Sequence, residues 1–302
     1  MLVLLESALS TITSGVGNTA VGWESQKLSQ SGQWNTSLGY RALYTNVDGD
    51  KNTAIGWQAL YTYEANADGE GGNTGLGYKA GFGISTGENN VAIGKNAFDA
   101  NGHTGDLNTA VGANAYGQST SGSGNTAVGA QSLNQMIVGE SNTAMGYQSL
   151  YTDTDGDNNT AIGWRALYNY NPADGAGQTT ALGKSAGAGL TTGTNIIAIG
   201  PGTFDATCTG SENIAIGVNA CNDMTDGHSN IAIGTNSLSK NTTADASVAI
   251  GHQALMEAVD SSGNTAVGYL SGAATTAAGN TFVGSSSGRA NTSGAYNTFV
   301  GD

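Results

Sequence analysis

The chain has 302 residues, 48 of them Gly and only 2 Pro, with 11% charged side chains and a formal net charge of -14. Leu, Ile, Val and Phe together number 51, too little apolar surface for an ordinary globular core. Nine Lys and Arg against 23 Asp and Glu disfavour a basic surface for nucleic acid or anionic lipid. No apolar run approaches the roughly 18 residues of a membrane span. Apolar residues 2–5 are too few, and lack the basic flank, for a signal peptide. Two cysteines exclude a disulfide scaffold. Order must therefore come from repetition.

A pentapeptide supplies it, beginning with Asn18-Thr19-Ala20-Val21-Gly22 and Asn35-Thr36-Ser37-Leu38-Gly39 and closing on Gly301. There are 17 copies, and 12 of the 16 intervals between their glycines are 17 residues; the others are 21, 18, 20 and 16. Positions below are counted from that glycine. Position -1 is always apolar, position -2 is Ala in 13 copies, and position -4 is Asn in 14. Position -3 is Thr in 12 copies and Val or Ile in the rest, among them Val91, Ile197 and Val248. Side chains two apart in a strand share a face. Thr exchanging with Val and Ile beside an always-apolar partner predicts that positions -3 and -1 fill the coil and that the Ala column faces outward. Asn at -4 suits a turn.

After the glycine, position +3 is always small and position +4 is mostly larger and apolar, as at Leu43, Leu60, Phe98, Leu150, Leu167 and Leu255. This predicts a second short strand, followed by a variable loop. Such a unit cannot bury a face alone, and stacking closes the core. The predicted fold is an all-β parallel β-solenoid of about 18 coils, counting residues 1–5 as a degenerate first copy. About 4.8 Å per rung gives a rod of about 85 Å. The chain reads as a single domain, 1–302, in which a six-coil block, 39–145, is duplicated at 146–250. Neither end shows a cap, which predicts a piece of a longer fibre or end-to-end stacking.

The Asn-Thr-Ala-Ile-Gly-x-x-Ala pattern resembles the head repeat of YadA-like trimeric autotransporter adhesins, a left-handed parallel β-roll. It is similar as well to repeats of phage tail fibres, and the resemblance covers essentially the whole chain. It implies a homotrimeric fibre that attaches to a surface. No stalk, anchor or leader pattern is seen, which favours a virion fibre over an adhesin head.

Three groups of residues bear on chemistry. His103, His228 and His252 occupy unrelated coil positions, and paired carboxylates occur only in loops, so no enzyme is expected. Asp153, Asp155 and Asp157 reproduce the opening of a calcium loop, which Asp48 and Asp50 approximate. The bidentate Glu that such a loop needs at its twelfth position is replaced by Trp164 and Trp57, and plain Asp-Gly turns are the competing reading. Trp23, Tyr40, Trp57, Tyr78, Tyr147, Trp164 and Tyr269 all stand at +1, which predicts aromatic ladders for a host glycan or protein. The competing role for these rings is packing against loops or a neighbouring chain. Cys221 takes a Leu position and Cys208 a loop position, which predicts two free thiols rather than a disulfide.

The expected function is a trimeric attachment fibre, on a virion surface or extracellular, with itself and a host glycan or protein as partners. The near-constant Ala column is the expected trimer contact, with Phe282 and Phe299 marking where chains splay. A self-assembling extracellular filament and a bacterial adhesin head are the alternatives, with a polysaccharide depolymerase and an ice-binding protein behind them. Ice binding requires an outward Thr array, which the predicted inward Thr column argues against.

Overall fold

A computed structural model describes residues 7–67, 69–173 and 175–302. The degenerate first copy expected over residues 1–5 lies outside the described residues. Every regular element is a three-residue strand on the pentapeptide, 17 in all among the described residues, and each recorded pairing is parallel. The fold is a parallel β-solenoid. It forms two compact units, Met1–Asp155 and Gly156–Asp302. The first carries β1 (Thr19–Val21) through β8 (Thr143–Met145), and the second β9 (Thr160–Ile162) through β17 (Thr298–Val300). Within each unit the register is strict, motif residue on motif residue, as in Thr53↔Thr74 and Ile214↔Ile231. No helix among the described residues is long and apolar enough to cross a membrane.

The strand faces are the reverse of the sequence expectation. Ala54, Ala92, Ala161 and Ala232 are fully buried, while the residues flanking them are half-buried or exposed. The Ala column points into the coil, and the Thr/Val/Ile column and the apolar -1 column point out. The cause is width. Ala and Ser at +3 and Leu at +4 are buried beneath the strand, leaving room for a methyl group and little more. At Gly75, which takes the Ala place, an added Cβ would already stand 2.9 Å from Leu60 Cγ. The Ala column is small because its own coil fills the space, and not because another chain approaches it.

Two exceptions show the same constraint. Ser37 takes the Ala place and meets Ser25 Oγ at 2.5 Å and Gln26 Nε2 at 2.8 Å, so its hydroxyl is satisfied inside. Phe282 is also fully buried, where the sequence reading expects splaying. Its ring occupies space released at +4 on both neighbouring coils, where Gly272 and Gly288 replace Leu. A Cβ at those glycines would come within 2.5 and 2.0 Å of the Phe282 ring.

The second strand does not form. Positions +1 to +4, and in some coils on to +6, are a run of turns, with the residues at +2 and +4 in the left-handed region: Arg41 and Leu43 at φ 53°, Gln58 at 55° and Leu60 at 49°. A Cβ makes that region costly, most of all when branched, and no Val, Ile or Thr occupies either position in any coil. The turns still bond coil to coil. The +2 amide donates to the coil before (Arg41 to Trp23 O, 2.9 Å) and the +4 amide to the coil after (Leu43 to Ala59 O, 2.9 Å).

The Asn column is buried as a ladder. Asn35 Oδ1 accepts the Asn52 amide at 2.8 Å, and its Nδ2 donates to Gly49 O at 2.8 Å. In the second unit, Asn213 does the same for the Asn230 amide and Gly227 O. These bonds satisfy backbone groups at the corner entering each strand, which burial would otherwise leave unpaired.

Candidate ligand surface on the turn face

All seven aromatic residues singled out at +1 lie at the surface, between 36 and 55% exposed. In the first unit Tyr40, Trp57 and Tyr78 stack on successive coils, with centroids 5.8 and 4.9 Å apart and planes within 12°. Strict register puts one ring above the next. In the second unit the +1 column places His252 on Tyr269 at 5.4 Å.

A parallel column at +5 escaped the sequence reading. Tyr44, Tyr61 and Phe82 stack with centroids 5.2 and 5.3 Å apart. Basic side chains at +2 fill the channel between the columns. Arg41 lies over Tyr40 and Tyr44 at 5.2 and 5.3 Å, and Lys79 over Trp57 and Phe82 at 5.8 and 4.8 Å. The second unit repeats the arrangement at Arg165, which lies over Trp164 and Tyr168, while Lys184, itself at +1, lies over Trp164. A table of residue types by offset would have revealed both the +5 rings and the +2 cations.

One carboxylate anchors the first platform. Glu24 binds Lys27 at 2.5 Å and Arg41 at 2.7 Å. The Lys27 and then the Arg41 hydrogen bond hold its carboxyl below the usual range and raise both basic partners.

Two of the loop carboxylates bond to the preceding coil. Asp48 accepts from Ser31 Oγ, and Asp50, nearly buried, accepts the Gln33 amide at 2.7 Å. Asp153 and Asp155 end the first unit and Asp157 opens the second. Among the described residues no three His, Cys, Asp or Glu side chains gather into a group able to hold a metal.

The histidines sit apart. His103 is buried against Phe98 and Tyr116, with Nε2 2.9 Å from Gly105 O, and burial lowers its pKa to about 4. His228 Nδ1 accepts the Ser211 amide, and His252 belongs to the ring stack. Cys208 and Cys221 are free and fully buried, and burial raises the Cys208 thiol to about 11 and Cys221 higher still.

Compared with known proteins, the chain matches no family model and no curated protein sequence.

Proposed function

We propose that this protein is a structural fibre segment, assembled side by side as a homotrimer, that attaches a virion or extracellular particle to a host surface. The observation that carries this reading is the outward strand face. Along each unit it presents one β-branched column and one apolar column. Leu38, Leu76 and Met145 in the first unit, and Leu182, Ile197 and Ile250 in the second, are each more than a third exposed. Continuous exposed apolar strips of this kind mark interaction sites. Association along the strip supplies the burial that so few large apolar residues cannot supply in one chain. The resemblance of the repeat to trimeric adhesin heads and tail fibres points the same way.

Two adjacent residues test it. Leu182→Arg adds charge to the outer face and should reduce the assembly to monomers without loss of β-structure. Ala181→Arg, one residue earlier and fully buried, should damage folding itself, because an unpaired charge in the coil costs several kcal/mol. Light scattering that finds the native protein to be a folded monomer of 30.2 kDa refutes the trimer and removes the main support for an attachment fibre.

A second reading gains from the reversed faces. The Thr column points outward in seven of the eight strands of the first unit, Val91 being the exception, as ice binding requires. Thermal hysteresis in dilute solution would support it, and its absence would dismiss it.

A further inference from the structure

The basic residues are confined to one side of the coil. Eight of the nine Lys and Arg stand at positions +1 to +6, and only Lys51 lies outside them; of the 23 Asp and Glu, only six share that segment. Several loop carboxylates are engaged coil to coil, as Asp50 is with the Gln33 amide and Asp106 with the Glu88 amide. A chain of net charge -14 thus keeps one side clear of acid excess, and that side carries the aromatic columns.

The stacking decides what that side can hold. Rings that lie face to face along a column have their faces occupied by one another, by Arg41 and by Lys79. What they present outward is their edges, the positive end of the ring quadrupole. A sugar ring finds no open aromatic face in mid-column, whereas an acidic oxygen meets positive edges and cations together. Lys27 and Arg41 share the single carboxylate of Glu24, and Lys79 makes no salt bridge among the described residues, with Asp99 its one acidic neighbour; three cations thus face two carboxylates. Positive charge is left over.

We propose that the turn side of the first unit binds an acidic polysaccharide laid along the ring columns, its carboxylates paired with Arg41 and Lys79. This rests on the attachment reading above and names the class of ligand. A polyuronate carries one carboxylate per ring, and its rings recur at about the interval of β-rungs, so an extended chain keeps step with the columns. A nucleic acid, whose phosphates recur at about 3.4 Å along each strand of a duplex, has no such match.

The test uses the full chain and polygalacturonate, with dextran, polyglutamate and single-stranded DNA as comparison ligands, in affinity electrophoresis and titration calorimetry. Polygalacturonate should bind, more weakly as salt rises, and dextran should not. The double variant Arg41→Gln/Lys79→Gln should weaken binding about tenfold or more, since two charge-assisted contacts are lost. Lys51→Gln, the loss of one basic charge outside that segment, should leave it unchanged, in contrast to Lys79→Gln. Lys79→Gln alone breaks no ion pair and serves if the Arg41 change disturbs folding. The proposal is overturned if the double variant binds as well as the native chain. It is equally overturned if dextran, polyglutamate or DNA binds as tightly as polygalacturonate. Failure to bind polygalacturonate by a protein of assembled mass removes the ligand assignment alone, whereas a folded monomer removes the attachment reading.

Discussion

The exchange of size between Phe282 and its glycine neighbours gives the sharpest test of the packing. Phe282→Ala alone removes a fully buried ring and should cost about 3–5 kcal/mol. Gly272→Leu alone drives a side chain into that ring, its Cβ starting 2.5 Å from Cδ2; overpacking of this kind costs about 1–3 kcal/mol or more. Together the two changes recreate the pairing of Ala266 with Leu255 one coil earlier, where both side chains are fully buried. The backbone is ready for it: Gly272 has φ 58° and Leu255 has φ 50°. The double variant should therefore be less damaged than the sum of the singles, by a coupling of about 2–3 kcal/mol. Solenoid coils open locally as well as globally. The assay is therefore native-state hydrogen exchange at the amides of Thr281–Val283, alongside urea unfolding. Additive effects, with coupling below about 0.5 kcal/mol, would refute the reasoning.

Three further outcomes are expected. Asn125→Ala orphans the Asn142 amide and Gly139 O; at about 1–3 kcal/mol for each buried group, a clear fall in urea midpoint should follow, and none would refute the ladder's role. His103, lowered from 6.5 to about 4 by burial, binds a proton in the unfolded chain but not in the folded one between those values. Its share of stability is whole above pH 6.5 and is lost as pH falls to 4, by about 3 kcal/mol. Unfolding titrations over that window should lose this slope in His103→Leu, and an unchanged slope would disprove the assignment. Gln58→Val places a branched side chain at φ 55° and should cost about 1–2 kcal/mol, visible as a lower melting temperature than for Gln58→Ala.

The strands and their register were legible because a fixed pentapeptide at a near-constant interval leaves one way to stack. Which side of the strand faced inward was misread. Thr, Val and Ile exchanging at one position looks like a core matched by shape, but the coil is too narrow for them, as the packing of Leu60 beneath Gly75 reveals. Two signals were present in the residues themselves: Ser37 beside Ser25 and Gln26, and Phe282 between Gly272 and Gly288. The missing second strand had a signal too, since β-branched residues never occur at +2 or +4. At the candidate surface the +1 rings could be read by offset. That their faces are occupied could not, because it depends on ring tilt, which no spacing records.

The pairing of Ala at -2 with Leu at +4, and of Phe with Gly, has a consequence for how such a chain can lengthen. Coils of the two kinds are not interchangeable parts. A single coil copied in beside Phe282 would set Leu against the ring or leave a hole the size of one. Recombination is harmless only where both cut edges carry the same pairing. Segments 39–145 and 146–250 meet that condition: they open with Leu43 and Leu150 and close with Ala144 and Ala249, all fully buried. Lengthening by whole blocks with matching edges keeps this packing intact, whereas a cut near the Phe coils breaks it.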